Sequence, residues 1–386
     1  MGMITGKELI RAMEDVSRLK NLSINEVVEA LEDALVIAYF RHMRIDKKDR
    51  ERLKDLVKAH VDMTTGEIDI IHKKQVVENV EDPLTQISVD EARKLGFDAE
   101  VGQHIELKFD PKNFTRDEVN IVQQVFNQRI ANAQKEHKYE YLKSLEGTLV
   151  RGRIIGVEKG MYRGQPTLKV RVDIEGVDTM LPPEEQVRAY KKDGKIIGDT
   201  YKRGEWYDFY LREVKRIGKG KGNFDLIISR SDPKLVELLL EREVPDIGKG
   251  FVEVKDIARE PGKRTKVSVL SLDSRIDPVA VCIGPRGRRI KDVQRELRGE
   301  KIDVIRWSAE PEEYIKNALA PAEIDNVEIV DPEHKLAKVY VHHSNVKQAI
   351  GEEGLNVKLA EKLTGWHIDI VELGAPEETE GGGVNE

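Results

Sequence analysis

Gly284-Pro285-Arg286-Gly287, followed by Arg288, Arg289 and Lys291, is the stretch whose residue types and spacing could do chemistry. Two glycines three apart let backbone approach an anion with no Cβ in the way. Where such a loop opens a helix, unpaired amides and the positive end of the helix dipole face the same point. From Lys263 to Lys301 there are eleven Lys and Arg against five Asp and Glu, a local balance of +6 in a chain of net −7. The chemistry is capture of phosphates, with no bond made or broken. A helix crossing with a solvated arginine face is the plain alternative, and a lone G-x-x-G would favour it.

The flanking elements decide between the two. Val279 to Ile283 is a short apolar helical run before the loop. After it, Ile290, Val293 and Leu297 recur at helical spacing, and Gly299 ends that helix. Ile302, Val304 and Trp307 belong to a following strand. Helix, G-x-x-G, helix and strand form the core of a KH domain, which clamps about four nucleotides of a single strand. Ahead of it, a helix at Asp232–Glu243 and strands at Phe251–Ile257 and Lys266–Leu270 give the bacterial ordering of KH elements. The pattern recurs 66–67 residues on, with a helix at Glu312–Leu319, strands at Val327–Val330 and Leu336–Val341, and Gly351-Glu352-Glu353-Gly354. A fixed offset across a whole module is an internal repeat. Gly351, Gly354, Asn356 and Lys358 are the second module's candidate RNA contacts. Its two glutamates stand where a phosphate clamp wants Lys or Arg. The RNA path is expected to bypass them along Lys347, Lys358 and Lys362, the other option being that this module docks against the first.

At 386 residues with 35% charged and 5% aromatic side chains, the chain reads as several small charged modules. One cysteine, Cys282, excludes a disulfide framework and suits a reducing cytoplasm. No run has the length of a signal peptide core or a membrane span. Ser23-Ile24-Asn25-Glu26 is a capping box, and strands are expected at Ala59–Asp62, Glu67–Ile71, Val76–Val80, Ile87–Val89 and Ile105–Phe109. Residues 1–140 hold 22 basic and 27 acidic side chains, a balance of −5, which suits docking to a protein better than to RNA. A second capping box at Thr115-Arg116-Asp117-Glu118 opens a helix to about Ser144, apolar early and polar late, of the kind that bridges domains. Five short strands within Glu146–Ser231 suit a closed OB-fold barrel. Its candidate RNA contacts are Tyr162, Arg163 and Lys169, with Tyr190, Tyr201, Tyr207, Trp206 and Tyr210 as stacking candidates, the last two expected to fill the barrel. Gly218–Gly222 reads as a basic turn and Glu372–Glu386 as a flexible acidic tail.

Walker, HExxH and GxSxG motifs are missing, and His334, His342 and His343 have no second ligand pair at metal spacing. No catalytic residue, metal or cofactor is expected. An OB-like barrel followed by two KH modules, behind an acidic α/β domain and a long helix, resembles the NusA family of bacterial transcription factors over roughly residues 1–372. The resemblance rests on Ile283-Gly284-Pro285-Arg286-Gly287, on Gly299-Glu300-Lys301-Ile302-Asp303-Val304 with Trp307-Ser308, and on Leu363-Thr364-Gly365-Trp366-His367-Ile368-Asp369-Ile370. Ala30-Leu31-Glu32-Asp33-Ala34-Leu35 and Ile228-Ser229-Arg230-Ser231 also carry it. It implies a multidomain α+β chain: an RNA-polymerase-binding domain with its helix at 1–144, a barrel of the ribosomal-protein S-one type at 145–231, KH modules at 232–310 and 311–373, and a tail at 374–386. It implies a cytoplasmic, monomeric factor that binds polymerase near the RNA exit channel. There it contacts nascent single-stranded RNA, works with other antitermination factors, and tunes pausing, termination and antitermination. Three departures stand out: the acidic Glu352-Glu353 loop, a barrel lengthened around Tyr190–Asp199, and the stretch beyond Leu373, which does not resemble the extra C-terminal repeats of some members. A ribosome-associated binder or RNA chaperone would share the barrel and KH modules without needing the N-terminal domain.

Overall fold

The computed structural model describes residues 6–218 and 223–374, with the side chains of Tyr162 and Gln165 also outside the description. The acidic tail, apart from residues 372–374, and residues 219–222 of the basic turn therefore lie outside the described residues. The chain forms two compact units. One holds 6–142 with 216–218 and 223–224, and the other holds 143–215 with 225–374.

In the first unit both capping boxes form. Ser23 Oγ accepts from the Glu26 amide while Glu26 accepts from the Ser23 amide at 2.8 Å, opening the helix Ile24–His42. Glu118 accepts from the Thr115 amide at 2.7 Å, opening Arg116–Ser144. A helix at Gly6–Lys20 adds to the expected elements. Val57–Val61 pairs antiparallel with Ile68–Val77, which also carries Gln86–Ser88 in parallel and His104–Phe109 antiparallel. The strand expected at Val76–Val80 is thus the end of a longer one, and the run after Ser88 is a helix, Val89–Lys94, capped by Ser88 itself. The polar end of the long helix does more than meet solvent: the Arg216 guanidinium lies 3.8 Å from the Tyr139 ring centroid and pairs with Glu136.

The barrel strands, in the second unit apart from Arg216 and Phe224, are Leu149–Tyr162, Gln165–Ile174, Val177–Leu181, Trp206–Arg216 and Phe224–Ser229. The order across the sheet puts Phe224–Ser229 at one end and Val177–Leu181 at the other. The ends meet through a side chain: Thr179 Oγ1 lies 2.9 Å from the Leu226 carbonyl and 2.7 Å from Asp225. The lengthened segment is a hairpin, Tyr190–Lys192 against Lys195–Ile197, turned on Asp193-Gly194, both at positive φ.

Each KH module is a three-stranded sheet under helices. In the first, Val252–Glu260 pairs antiparallel with Arg264–Ser271, which pairs in parallel with Lys301–Arg306. In the second, Asn326–Asp331, Leu336–His342 and His367–Leu373 repeat that order. Ile302 enters the first module's core, whereas Ile305 and Ala258 enter the second's, so the two modules share a sheet between two cores. Barrel residues Leu149 and Tyr210 pack on the first core.

The barrel joins the first KH module through Arg230, which is 1% exposed. Its Nε and Nη2 donate to Asp199 at 2.8 and 2.9 Å, Nη1 to the Asp208 carbonyl at 2.7 Å and Nη2 to the Glu296 carbonyl at 2.9 Å. Arg230→Ala would leave Asp199, itself 1% exposed on its side chain, with no cation and, among the described residues, only the Tyr201 hydroxyl at 3.1 Å. Urea unfolding of the second unit should show a loss of about 3–5 kcal/mol.

His72 in the first unit is 1% exposed and lies 3.0 Å by Nδ1 from the Tyr39 hydroxyl. Burial lowers its pKa to about 4, so the folded state keeps it neutral while the unfolded chain takes up a proton near 6.5. Its share of stability is therefore whole above pH 6.5 and falls as pH drops from 6.5 to 4, by roughly 3 kcal/mol in all. The unfolding free energy of the protein, compared with that of His72→Gln, should show this slope in the parent alone.

Candidate nucleic-acid interface

The first loop is built from the helix Pro278–Ile283, a tight turn and the helix Arg288–Glu296. Gly284 sits at φ 72° and ψ 174°, a region that is essentially glycine-only. Arg286 is left-handed at φ 55° and Gly287 at φ 69°. The second loop repeats this residue by residue: Gly351 at φ 77° and ψ 171°, Glu353 at φ 56°, Gly354 at φ 72°. Backbone geometry is the same in both, and only the side chains differ.

The side chains of the first loop divide by role. Pro285, Arg286, Arg288 and Lys291 are exposed, with Lys291 Nζ 3.4 Å from the Arg286 carbonyl. Arg289 turns inward. Its Nη1 donates to the Val281 carbonyl at 2.7 Å and lies 3.5 Å from Asp246, so it braces the loop against the preceding helix. Asn356 holds the equivalent place in the second loop. It is 1% exposed, and its Nδ2 donates to the Leu319, Gln348 and Ala349 carbonyls at 2.9–3.2 Å. Read from sequence as RNA contacts, Arg289 and Asn356 have their donors turned to backbone carbonyls. Cys282 lies buried beneath the first loop, where burial pushes its thiol up to about 12.

Glu352 and Glu353 are exposed but not solitary. Glu352 pairs with Lys192 of the barrel hairpin, and Glu353 lies 3.2 Å from Lys263 of the first KH sheet. The Lys192 ammonium holds the Glu352 carboxyl below its ordinary range. Lys358 Nζ turns to the Glu353 carbonyl at 3.3 Å, while Lys347 and Lys362 are exposed on neighbouring turns.

On the barrel, Arg163 forms the exposed turn after Tyr162 at φ 50°, and Lys169 is exposed on the next strand. Tyr207 and Tyr201 are buried in the barrel, at 1% and 2% exposure, but Trp206 is 49% exposed. The reason is strand phase. Tyr207, Phe209 and Leu211 take the inward positions, so Trp206 faces out beside Arg151 and Arg153, whose guanidinium carbons lie 5.8 and 6.0 Å from its ring. Tyr210 is half-buried against the first KH core instead of filling the barrel. The alternation of Tyr207, Phe209 and Leu211 was the signal in the sequence that marks Trp206 as a surface residue able to stack on a base.

Replacing Arg286 and Arg288 together with Ala should weaken single-stranded RNA binding and flatten its salt slope by roughly 1.4, for two phosphates released. Arg289→Ala should lower thermal stability and leave that slope nearly unchanged. Filter binding across a salt series, with thermal melts, checks both.

Three family models match the chain: the NusA N-terminal domain over residues 8–136, the NusA-like first KH domain over 230–307 and the NusA-like second KH domain over 311–378. The transcription termination/antitermination protein NusA of Thermus thermophilus is 36% identical over 368 residues, covering 95% of this chain and 90% of that protein. The protein of the same name from Halalkalibacterium halodurans is 34% identical over 94% of this chain and 87% of its own length. That from Bacillus subtilis is 33% identical over 94% and 90%.

Proposed function

The chain belongs to the NusA family of transcription termination/antitermination proteins, non-enzymatic factors, and from that premise we propose that it binds RNA polymerase and nascent single-stranded RNA together. Through that pairing it modulates pausing, termination and antitermination. The observation that carries the RNA half is the first loop. Two glycines at positive φ open a helix, and the exposed Arg286, Arg288 and Lys291 surround them. Trp206 with Arg151 and Arg153 supplies a stacking platform on the barrel.

The polymerase half rests on residues 1–144, whose net charge disfavours RNA. Around the helix Ile24–His42 an open groove is lined by Val36, Ile37 and Phe40 between charged rims that include Glu32, Asp33, Lys54 and Lys58. Such a mixture of apolar floor and charged edge suits a protein partner. Residues 145–231, 232–310 and 311–373 serve as barrel and KH modules on the RNA side. The factor acts as a cytoplasmic monomer, alongside other antitermination factors. No helix among the described residues is long and apolar enough to cross a membrane.

The whole chain should co-elute with core RNA polymerase in the absence of RNA and change the lifetime of a hairpin-stabilised pause in vitro. The Arg286→Ala, Arg288→Ala variant should keep the association and lose most of the effect on the pause. Failure of the parent chain to associate with polymerase would leave it an RNA binder without the transcription role.

A further inference from the structure

The barrel hairpin and the acidic second loop, two stretches that stand out from the resemblance in the sequence, lie against each other through Lys192 and Glu352. The barrel hairpin Tyr190–Ile197 and the acidic second loop line a cleft of about 280 Å³ together with one end of the first KH sheet. Five cations line it, Lys191, Lys192, Lys263, Arg264 and Lys301, against the two carboxylates Glu352 and Glu353. Arg264 is already held by Asp303 at 2.6 Å. Lys192 and Lys263 are held by the two glutamates. Among the described residues, Lys191 and Lys301 form no ion pair.

The cleft also continues toward the first loop. On the far side of the hairpin a second groove is lined by Ile196, Thr200, Lys291, Arg295 and Arg298, and it shares Gly299 with the first. The Gly198 amide donates to the Arg298 carbonyl at 3.0 Å, fixing the hairpin to the helix end that follows the first loop. Lys291, Arg295 and Arg298 thus line a groove that adjoins the cleft at Gly299.

We infer that this cleft is a second binding site for phosphates of single-stranded RNA, and that Glu352 and Glu353 occupy it as built-in counterions when RNA is absent. The inference rests on the RNA-binding reading above. Both glutamates are about three-quarters exposed on their side chains, so each pair is of the weak, solvent-screened kind. An RNA phosphate presents the same charge with more acceptor oxygens and releases condensed counterions on binding. It can displace a carboxylate from Lys192 or Lys263 with little loss. The acidic loop then sets a threshold. Strands long enough to reach from the first loop into the cleft displace it, and short ones do not.

The test is a mutant cycle read by fluorescence anisotropy of labelled single-stranded RNA across a salt series. Glu352→Gln with Glu353→Gln should tighten binding roughly two- to thirtyfold, the range two exposed ion pairs span. It should also steepen the salt slope by about 1.4, for two further phosphates engaged. In a Lys192→Ala, Lys263→Ala background the same glutamine changes should do nothing, because the masked cations are gone. Tightening that persists in that background would show simple repulsion and overturn the cleft. No tightening in the folded glutamine variant, verified by thermal melting, would make the loop a clasp between modules and overturn it as well. If the parent fails to bind RNA, or the Arg286→Ala, Arg288→Ala variant binds as well as the parent, the first-loop reading falls instead.

Discussion

A buried arginine at the seam between barrel and first KH module is the constraint on which the second unit depends. Arg230 gives up solvent entirely, and only a full set of acceptors makes that tolerable: both oxygens of Asp199 and the carbonyls of Asp208 and Glu296. Those acceptors come from the segment after the hairpin, a barrel strand and the helix after the first loop. One guanidinium therefore indexes three elements against each other, and the planar fork leaves little freedom in how they sit. The hairpin that walls the proposed cleft and the basic helix beside it inherit their relative position from it.

A second buried pair sets the shape of the first KH module. Glu300 accepts from Arg259 through both oxygens at 2.9 Å, from the Gly262 amide at 2.7 Å and from the Thr265 hydroxyl. This ties the turn before the central strand to the residue just ahead of the last strand, in the register that parallel pairing of Thr265 with Ile302 requires. Above it, the loop braces do the same work with different residues, Arg289 in one module and Asn356 in the other. The duplicated backbone needs a donor at that place and is indifferent to its charge. Where side chains face solvent no such demand exists, which is why the loops could diverge from arginines to glutamates while keeping their dihedral angles.

Much of the architecture is legible in the chain itself, because it rests on local rules. Both capping boxes mark their helices, the glycine pairs mark loops at positive φ, and the fixed offset marks the repeated module. Misreadings fall where local rules run short. Val76–Val80 is apolar enough for a strand of its own, yet the ladder from Ile68 already uses its first residues. Trp206 is a large aromatic in a strand, and only the phase of its neighbours tells inside from outside.

What the sequence by itself determined is the order of modules, the glycine geometry of the two loops and the concentration of positive charge about the first, all properties of neighbouring residues. Tertiary structure alone decided which charges remain free to meet RNA. Arg289 and Asn356 look like ligands in the chain, and in the fold each turns donors to backbone carbonyls. Glu352 and Glu353 look like repulsive outliers and prove to be partners of lysines 160 and 90 residues away. The physical reason is range. Backbone conformation follows from a few adjacent residues, whereas an ionic group takes its partner from whatever surface folding brings within a few ångströms.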